Sequence, residues 1–294
     1  MNDTNPWTIG GAAALDLYAP EAAAAVQGLL AVRPAGVSTD LNDTLRVTTA
    51  GVTGLPALGG ASLPADADPA VTAFAEQFAI DVSSMSEALR GGFVGAVGEA
   101  AFGAVQMTYV ADVIPRLHAA LDALFGPSEW VHPDPSPVED TWPAVEVYLQ
   151  EIARVQVLDA VATELIRLRG ARQHECRLCK SRRMVTAINE GADDAAFEAV
   201  DHYADSDLPD RIKAALALTD AMIWTPASIG DDVVAAIRAE FSPAEAVEVA
   251  LDIARNAANK IPVSLATDDA IVSEGVELFD MDVDGTLIYG LEPA

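Results

Sequence analysis

The stretch of sequence that decides the fold of this 294-residue chain reads Glu164-Leu-Ile-Arg-Leu-Arg-Gly-Ala-Arg-Gln-His-Glu-Cys176-Arg-Leu-Cys179-Lys-Ser-Arg-Arg183. It contains the chain's only two cysteines, three positions apart, and seven of its 17 basic residues. Nearby positive charge and a helix N-terminus both lower the pKa of a thiol, because they stabilise the thiolate. The sequence therefore predicts a dithiol in the first turns of a helix that continues through Ile188 to Gly191.

Several interpretations of the cysteine pair compete. Inert buried thiols are common in protein cores but seldom stand beside so much charge. A structural zinc ion needs about four ligands, and only His174 stands near enough in sequence to assist the cysteines. A thioredoxin-type motif needs a preceding strand, whereas residues 164–172 show a helical pattern. What remains is a redox dithiol in an all-helical protein, without a metal or a cofactor. The alternative role for the basic residues is to pair with acidic neighbours at a domain interface.

Outside this stretch the pattern is also helical, because alanine is abundant and apolar residues recur at intervals of three and four. One apolar stripe runs from Leu149 through Leu158 and drifts on to Leu168. A second helix is predicted from about Pro209 to Trp224. The segment Ser242-Pro-Ala-Glu245 is typical of a capping box and predicts a helix that continues until Pro262. We therefore predict an all-α fold.

A segment rich in proline, between Gly126 and Pro143, divides the chain, because no helix can cross it. The predicted organisation is a first helical half over 1–126, a linker over 127–143, a second half over 144–270 that carries the cysteines, and a tail over 271–294. The two halves show a faint similarity, since Ile114-Pro115 corresponds to Ile261-Pro262. A tandem duplication, with a first half that lacks cysteines, would explain this similarity.

The tail contains Asp284-Gly285, a dipeptide that favours the tight turn of a β-hairpin. We expect residues 277–279 to pair with residues 287–289. The alternating acidic residues imitate the start of a calcium-binding loop, but Leu291 stands where that loop requires a bidentate Glu.

The charge of the chain excludes some classes of partner. It has 45 acidic and 17 basic residues, a formal net charge of −28 and a pI of about 4.2. Nucleic acid and anionic membrane surfaces would be repelled. The apolar stretch from Gly91 to Val110 contains Glu99 and many small residues, which favours a buried helix pair over a membrane span. The first seven residues lack the basic and apolar regions of a signal peptide, so a cytoplasmic protein is expected.

The spacing Glu-x11-Cys-x2-Cys, formed by Glu164, Cys176 and Cys179, resembles the AhpD-like, or carboxymuconolactone decarboxylase-like, superfamily. The resemblance covers residues 145–268 and includes the helices that follow Leu208 and Ser242. Residues 74–124 resemble a degenerate member. The resemblance implies a tandem of two AhpD-like helical halves and assembly into a homo-oligomer.

In the alkylhydroperoxidase branch of that superfamily, the second cysteine attacks the peroxide and the first resolves it as a disulfide. The resemblance therefore implies that Cys179 is the peroxidatic thiol, Cys176 the more exposed resolving thiol and Glu164 a proton-relay carboxylate. The family's usual His is replaced here by Arg183. Arginine cannot act as a base, but it can hold a thiolate or an anionic substrate.

The predicted function is a thiol-dependent peroxidase or disulfide reductase, whose partners are a hydroperoxide or other small molecule and a thiol or dithiol electron-donor protein. A cysteine-independent lactone or decarboxylase enzyme of the same superfamily and a non-catalytic scaffold are the alternatives. His174 has the position to replace the missing proton carrier, although a capping or surface role suits it better. His202 is expected in an exposed segment between helices.

Overall fold

A computed structural model describes residues 5–292 and shows a mostly α-helical protein with a few short strands, as the sequence predicts. Residues 1–4 and 293–294 lie outside the described part. Part of the segment considered for a signal peptide lies there. So do the first residues of the predicted first half and the last residues of the predicted tail.

The elements before the proline-rich segment are α1 (Gly11–Tyr18), α2 (Pro20–Leu30), β1 (Val32–Pro34), α3 (Thr39–Thr53), α4 (Pro69–Asp81), α5 (Glu87–Val97) and α6 (Ala101–Phe125). Those that follow are β2 (Ser136–Val138), α7 (Trp142–Ala153), α8 (Ala160–Gln173), α9 (Arg177–Lys180), β3 (Arg182–Met184), α10 (Val185–Asn189), α11 (Asp194–Ala199), α12 (Asp210–Trp224), α13 (Asp231–Glu240), α14 (Pro243–Asn256), α15 (Lys260–Leu265), β4 (Glu277–Met281) and β5 (Leu287–Tyr289).

The main hydrophobic core includes residues from both sides of the proline-rich segment. Helix α6 is buried over most of its length and packs against α1 and α14. The buried Tyr109 of α6 donates a hydrogen bond of 3.0 Å to the carbonyl oxygen of Ala254 in α14. The two halves therefore share one core, whereas their origin by duplication stays a prediction.

The proline-rich segment contains no helix before Trp142, as expected, but it is held in place by a strand. β2 pairs in parallel with β1, with Ser136 opposite Val32. Pro143 belongs to the first turn of α7 rather than to the linker. Proline is accepted there because the N–H groups of the first turn have no acceptor within the helix.

Several local predictions are confirmed. α12 ends at Trp224, and the capping box at the start of α14 is complete, with the Ser242 N–H donating to Glu245 Oε2 at 2.7 Å. The tail forms the predicted hairpin, in which Phe279 of β4 lies opposite Tyr289 of β5. Gly285 adopts a positive φ of 75° in its turn.

Other helices are shorter than the sequence predicts. The stripe from Leu149 to Leu168 spans two helices, because α7 ends at Ala153 and Asp159 caps the start of α8. α14 ends at Asn256, not at Pro262, which lies in the first turn of α15.

The predicted long helix through the cysteines is wrong. α9 ends at Lys180, and after Ser181 the chain forms β3, which pairs in parallel with β4 of the tail. Arg183 lies opposite Leu278 in this pairing. Residues 182–184 are therefore a strand instead of helix, because they pair with a strand from the C-terminal tail. Gly191 follows a separate short helix, α10.

The apolar stretch from Gly91 to Val110 is divided between α5 and α6, as predicted for a helix pair. The expected burial holds for α6 but is wrong for α5, in which Phe93 is the one buried residue among the described positions 87–97. In the part of the chain that the structure describes, no helix combines the length and the apolar character needed to cross a bilayer.

Candidate functional site

The two cysteines differ in their exposure. Cys176 is the N-cap of α9 and is fully buried against the main core, whereas Cys179 is half-buried. The Cys176 Sγ accepts a hydrogen bond of 3.2 Å from the Cys179 backbone N–H. Glu175, with a φ of 54°, turns the chain between α8 and α9 and directs Cys176 inward. The expectation that Cys176 is the more exposed thiol is therefore wrong.

The helix that carries the cysteines contributes little positive potential to them. α9 has only four residues, and Asp268 already binds its first two N–H groups. The Asp268 carboxylate accepts from the Arg177 N–H at 2.9 Å, and its backbone carbonyl accepts from the Leu178 N–H at 2.8 Å. In the described residues, the expected stabilisation by amides at a helix start therefore reaches only Cys176, whose sulfur accepts from the Cys179 N–H, and not the Cys179 sulfur.

The two thiols are nevertheless polarised. A hydrogen bond between the two thiol side chains lowers the pKa of Cys179, and the positive charges of Arg167 and Arg182 lower it further against the effect of burial. The same hydrogen bond, together with burial, raises the pKa of Cys176 well above its ordinary value. The expected lowering of the pKa thus holds for Cys179 but not for Cys176. The arrangement favours a thiolate on Cys179 beside a protonated Cys176.

Glu164 is fully buried in α8 and is bound at both carboxylate oxygens by Arg167, at 2.6 and 2.8 Å. Arg167 also donates to the backbone carbonyls of Cys179 and Arg182, each at 2.9 Å. Glu164 therefore reaches the cysteines only through Arg167. Through Arg167, Glu164 stabilises the turn after α9, and its carboxylate is hydrogen-bonded to Arg167 rather than to a sulfur.

Most of the positive charge around the cysteines is neutralised. Within residues 5–292, six of the seven basic residues form ion pairs: Arg167 with Glu164, Arg169 with Asp220, Arg172 with Asp201, Arg177 with Asp268 and Asp269, Lys180 with Glu175, and Arg182 with Glu277. This bears out the alternative that the basic residues pair with acidic neighbours, some of them distant in sequence.

Arg183 is the seventh basic residue and does not face the thiols. Its guanidinium donates to the backbone carbonyls of Lys180 and Arg182 and lies 4.9 Å from the centre of the Phe197 ring. No hydrogen bond joins Arg183 to either sulfur in the described part of the chain. The structure thus brings Cys176, Cys179 and, through Arg167, Glu164 together, and leaves Arg183 on the far side of β3.

The histidines have different surroundings. His174 is the C-cap residue of α8, which fits the expected capping role, but its side chain is buried, so the expected surface role is wrong. Its Nδ1 lies 2.7 Å from Asn259 Oδ1. Burial lowers the pKa of His174 to about 3, so the imidazole is neutral. His202 is exposed, as predicted.

A buried cluster of charges near His174 escaped the sequence analysis. Asp112 in α6 binds Arg116 at 2.8 Å and Lys260 in α15 at 2.6 Å. Arg116 also donates to the backbone carbonyls of Ala79, Met222 and Ile223. The signal that reveals it is the i,i+4 pair Asp112–Arg116 in an otherwise apolar stretch of sequence. The cluster joins α4, α6, α12 and α15.

A second group of buried charges, also missed, lies at the bottom of a cavity of about 360 Å³ beside α8 and α14. Glu248 and Asp252, one turn apart on α14, form its floor. The two carboxylates fall at i,i+4 on a helix with a clear apolar face, which is the signal that the sequence offered. No group of three or more His, Cys, Asp or Glu side chains in residues 5–292 is arranged to hold a metal ion.

Comparison with known proteins finds relatives but no solved structure and no matching family model. "Uncharacterized protein MT2376" of Mycobacterium tuberculosis strain CDC 1551 / Oshkosh is 42% identical over 236 residues. "Uncharacterized protein Rv2313c" of strain ATCC 25618 / H37Rv has the same identity over the same length. The matches cover 76% of this chain and 81% of each relative. The resemblance to the AhpD-like superfamily stays a prediction.

Proposed function

The chain belongs to the protein family of these two M. tuberculosis relatives, and we propose that it is a dithiol oxidoreductase in which Cys179 attacks the substrate and Cys176 resolves the product. The observation that carries this proposal is the asymmetry of the pair. The half-buried Cys179 has a lowered pKa, whereas Cys176 is sealed in the core with a raised pKa. A thiolate is the reactive form of cysteine, so the accessible member of the pair is also the nucleophile.

The reaction begins at Cys179. Its thiolate attacks one oxygen of a hydroperoxide, the O–O bond breaks, and Cys179 becomes a sulfenic acid while the leaving alkoxide takes a proton from water. The Cys176 thiol then attacks the sulfur of Cys179. An intramolecular disulfide forms and water is released, so that one hydroperoxide has been reduced to an alcohol at the cost of two thiols.

The oxidised pair is restored by exchange with a dithiol protein. Attack must occur at the Cys179 sulfur, because Cys176 is buried. Cys176 is then the leaving group, and the second thiol of the donor releases Cys179 in turn. The high pKa that burial and the Cys179 hydrogen bond give to Cys176 makes it a poor leaving group, which favours a slow reductive half-reaction.

Glu164 and Arg167 act as positioning residues in this scheme. Both Glu164 oxygens are bound by Arg167, which in turn holds the carbonyl of Cys179 and adds positive charge beside its sulfur. Glu164→Gln would remove the carboxylate charge that neutralises Arg167 beside Cys179, so the pKa of Cys179 should fall. The rate at low pH should therefore rise relative to the rate at high pH.

The proposal is tested by alkylating the native protein with iodoacetamide over a range of pH and locating the label by mass spectrometry. Cys179 should react with an apparent pKa below the ordinary value of ~8.5, and Cys176 should react only after denaturation. After one equivalent of cumene hydroperoxide, the wild-type protein should contain a Cys176–Cys179 disulfide.

The two serine variants serve as controls for each other. Cys176→Ser should still be oxidised once, to a sulfenic acid on Cys179 that dimedone captures, whereas Cys179→Ser should be inert to peroxide. If Cys179→Ser reduces hydroperoxide at the wild-type rate, or if alkylation leaves an activity on lactone substrates untouched, the dithiol mechanism is wrong.

A further inference from the structure

The cavity of about 360 Å³ beside α8 and α14 has a polar floor and an apolar wall. This volume lies within the range of pockets that bind small molecules, roughly 300–1,000 Å³. Exposed Gln156, Asp159 and Glu190 form its rim, while buried Glu248 and Asp252 lie at its floor. Apolar side chains complete the wall: Val155, Leu158, Met184 and Met281.

All charged residues that line the cavity are acidic. They are Asp159, Glu190, Glu248, Asp252 and Asp280, and in the described residues no Lys, Arg or His joins them. Arg211 approaches Asp159 at 3.5 Å from outside the cavity. Arg255, three residues after Asp252 on α14, donates instead to the Leu149 carbonyl and to the Met281 sulfur.

The chain itself supplies a hydrogen-bond donor to each of the five carboxylates. Glu248 Oε2 accepts from the backbone N–H groups of Val157 and Leu158 at 2.6 and 2.8 Å. Asp159 accepts from the Ala162 N–H, Glu190 from the Ala160 N–H and Asp280 from the Thr186 hydroxyl. These hydrogen bonds hold the local backbone in place, which gives each of these four carboxylates a structural role.

Asp252 differs in that one of its carboxylate oxygens is left without a donor. The residue is 3% exposed and lines the cavity, and the Thr163 hydroxyl, which also lines the cavity, hydrogen-bonds its carboxyl group. Its Oδ2, however, has no hydrogen-bond partner in residues 5–292. A buried carboxylate oxygen without a donor costs free energy, which a donor from a ligand would recover. Burial also raises the pKa of Asp252 to about 7, and burial together with the charge of Asp252 raises the pKa of Glu248 to about 8.

We propose that this cavity binds a small organic amine, whose protonated amino group donates to Asp252 and whose methylene chain lies along the apolar wall. An ammonium group has three donors and a positive charge, which are what the floor lacks. A bare divalent ion fits less well, because it requires several oxygen ligands around one point and a metal gains nothing from the methionine and leucine side chains.

This inference is independent of the dithiol. None of Cys176, Cys179 and Arg167 lines the cavity. The test below therefore requires no thiol activity, and its result does not depend on the outcome for Cys179.

The test is isothermal titration of the full chain with putrescine, two ammonium groups on a four-carbon chain, at neutral pH and physiological salt. Putrescine should bind, and the heat should differ between phosphate and Tris buffers, because carboxyl groups at the floor release protons when the ammonium group binds. The neutral isostere 1,4-butanediol should not bind. Asp252→Asn should weaken putrescine binding at least about tenfold, the usual effect of losing one charge-assisted hydrogen bond.

Asp231→Asn is the matched control, since it removes the same charge from an exposed position of α13. It should bind putrescine like the wild type, which separates the site from general attraction to a chain of net charge −28. Equal binding by Asp252→Asn, absence of binding at millimolar putrescine, or Asp252-dependent binding of Mg²⁺ but not of putrescine would each overturn the proposal.

Discussion

Two groups of buried carboxylates in this protein differ in what surrounds them. Asp112 lies between Arg116 and Lys260, each within 2.8 Å. Asp252, buried as deeply, has an oxygen without any donor, and Glu248 is the acid nearest to it along α14. Burial alone would raise the pKa of Asp112, but its two cations hold that pKa below the ordinary value. The pKa of Asp252 is raised.

The difference separates a structural role from a binding role. A buried charge whose partners come from the chain itself holds elements together, as Asp112 does for α6 and α15. A buried charge without partners lowers stability, and a fold retains it at low cost only when something else supplies the missing donor. Substitutions in the two groups should therefore change stability in opposite directions.

Replacing Lys260 should have the largest effect. Lys260→Met removes one cation of a buried pair and leaves Asp112 undercompensated, so the free energy of unfolding should fall by about 3–5 kcal/mol. Urea denaturation at neutral pH measures it. Lys213→Met, at a partly exposed position of α12, should change stability by less than about 0.5 kcal/mol. A similar small change for both variants would show that the Asp112 cluster contributes nothing.

The second prediction concerns coupling within the same cluster. In the double variant with Asp112→Asn and Lys260→Met, the loss should be smaller than the sum of the two single losses by about 1–3 kcal/mol. Once Asp112 is neutral, removing Lys260 no longer leaves a buried carboxylate undercompensated. Arg116 loses its carboxylate partner in both variants that lack Asp112, but it keeps its three backbone carbonyls. A double-mutant cycle by urea denaturation gives this number, and strictly additive losses would contradict a direct Asp112–Lys260 pair.

The third prediction is a substitution that increases the free energy of unfolding instead of lowering it. Because the folded pKa of Asp252 is about 7 and its ordinary value is 3.8, the folded state holds a proton that the unfolded state releases. Asp252 therefore lowers stability progressively as the pH rises between these two values, and the full penalty persists above pH ~7. The free energy of unfolding of Asp252→Asn should therefore increase by about 1–3 kcal/mol relative to that of the wild type as the pH rises from ~5 to ~8. Urea denaturation at both pH values measures this gain, and Asp231→Asn should show none.

The smallest effect should appear on Glu248. Its pKa is raised to about 8 by burial and by the charge of Asp252, so it should move toward the ordinary value in Asp252→Asn. Carbon-13 NMR titration of the Glu carboxyl groups detects the shift. An unchanged pKa for Glu248 would mean that the two carboxylates do not interact.

Local signals in the sequence were sufficient for much of the fold. The capping box at Ser242, the stop of α12 before Pro226 and the Asp284-Gly285 hairpin depend on residues within a few positions of one another, so short-range hydrogen bonding and backbone preference decide them. The same holds for the mostly helical character, which follows from apolar spacing.

The state of the cysteines could not be read from the sequence. The partners that neutralise their cationic surroundings lie far along the chain: Asp268 is 91 positions from Arg177, and Glu277 is 95 positions from Arg182. A count of basic residues around the cysteines therefore overstated the positive charge that they experience. Which thiol is exposed depends on the turn at Glu175 and on the core into which Cys176 packs.

By itself, the sequence determined that the chain is mostly helical, where α12 ends and α14 begins, that the tail is a hairpin, and that two thiols stand three residues apart among basic residues. Only the tertiary structure decided that β4 interrupts the helix after Lys180, that Cys179 rather than Cys176 meets solvent, and that Asp252 has a buried oxygen without a donor. The physical reason is the separation along the sequence of the residues that interact. Helix caps and turns are satisfied by neighbouring residues, whereas strand pairing, burial and ion pairing depend on residues that only folding brings together.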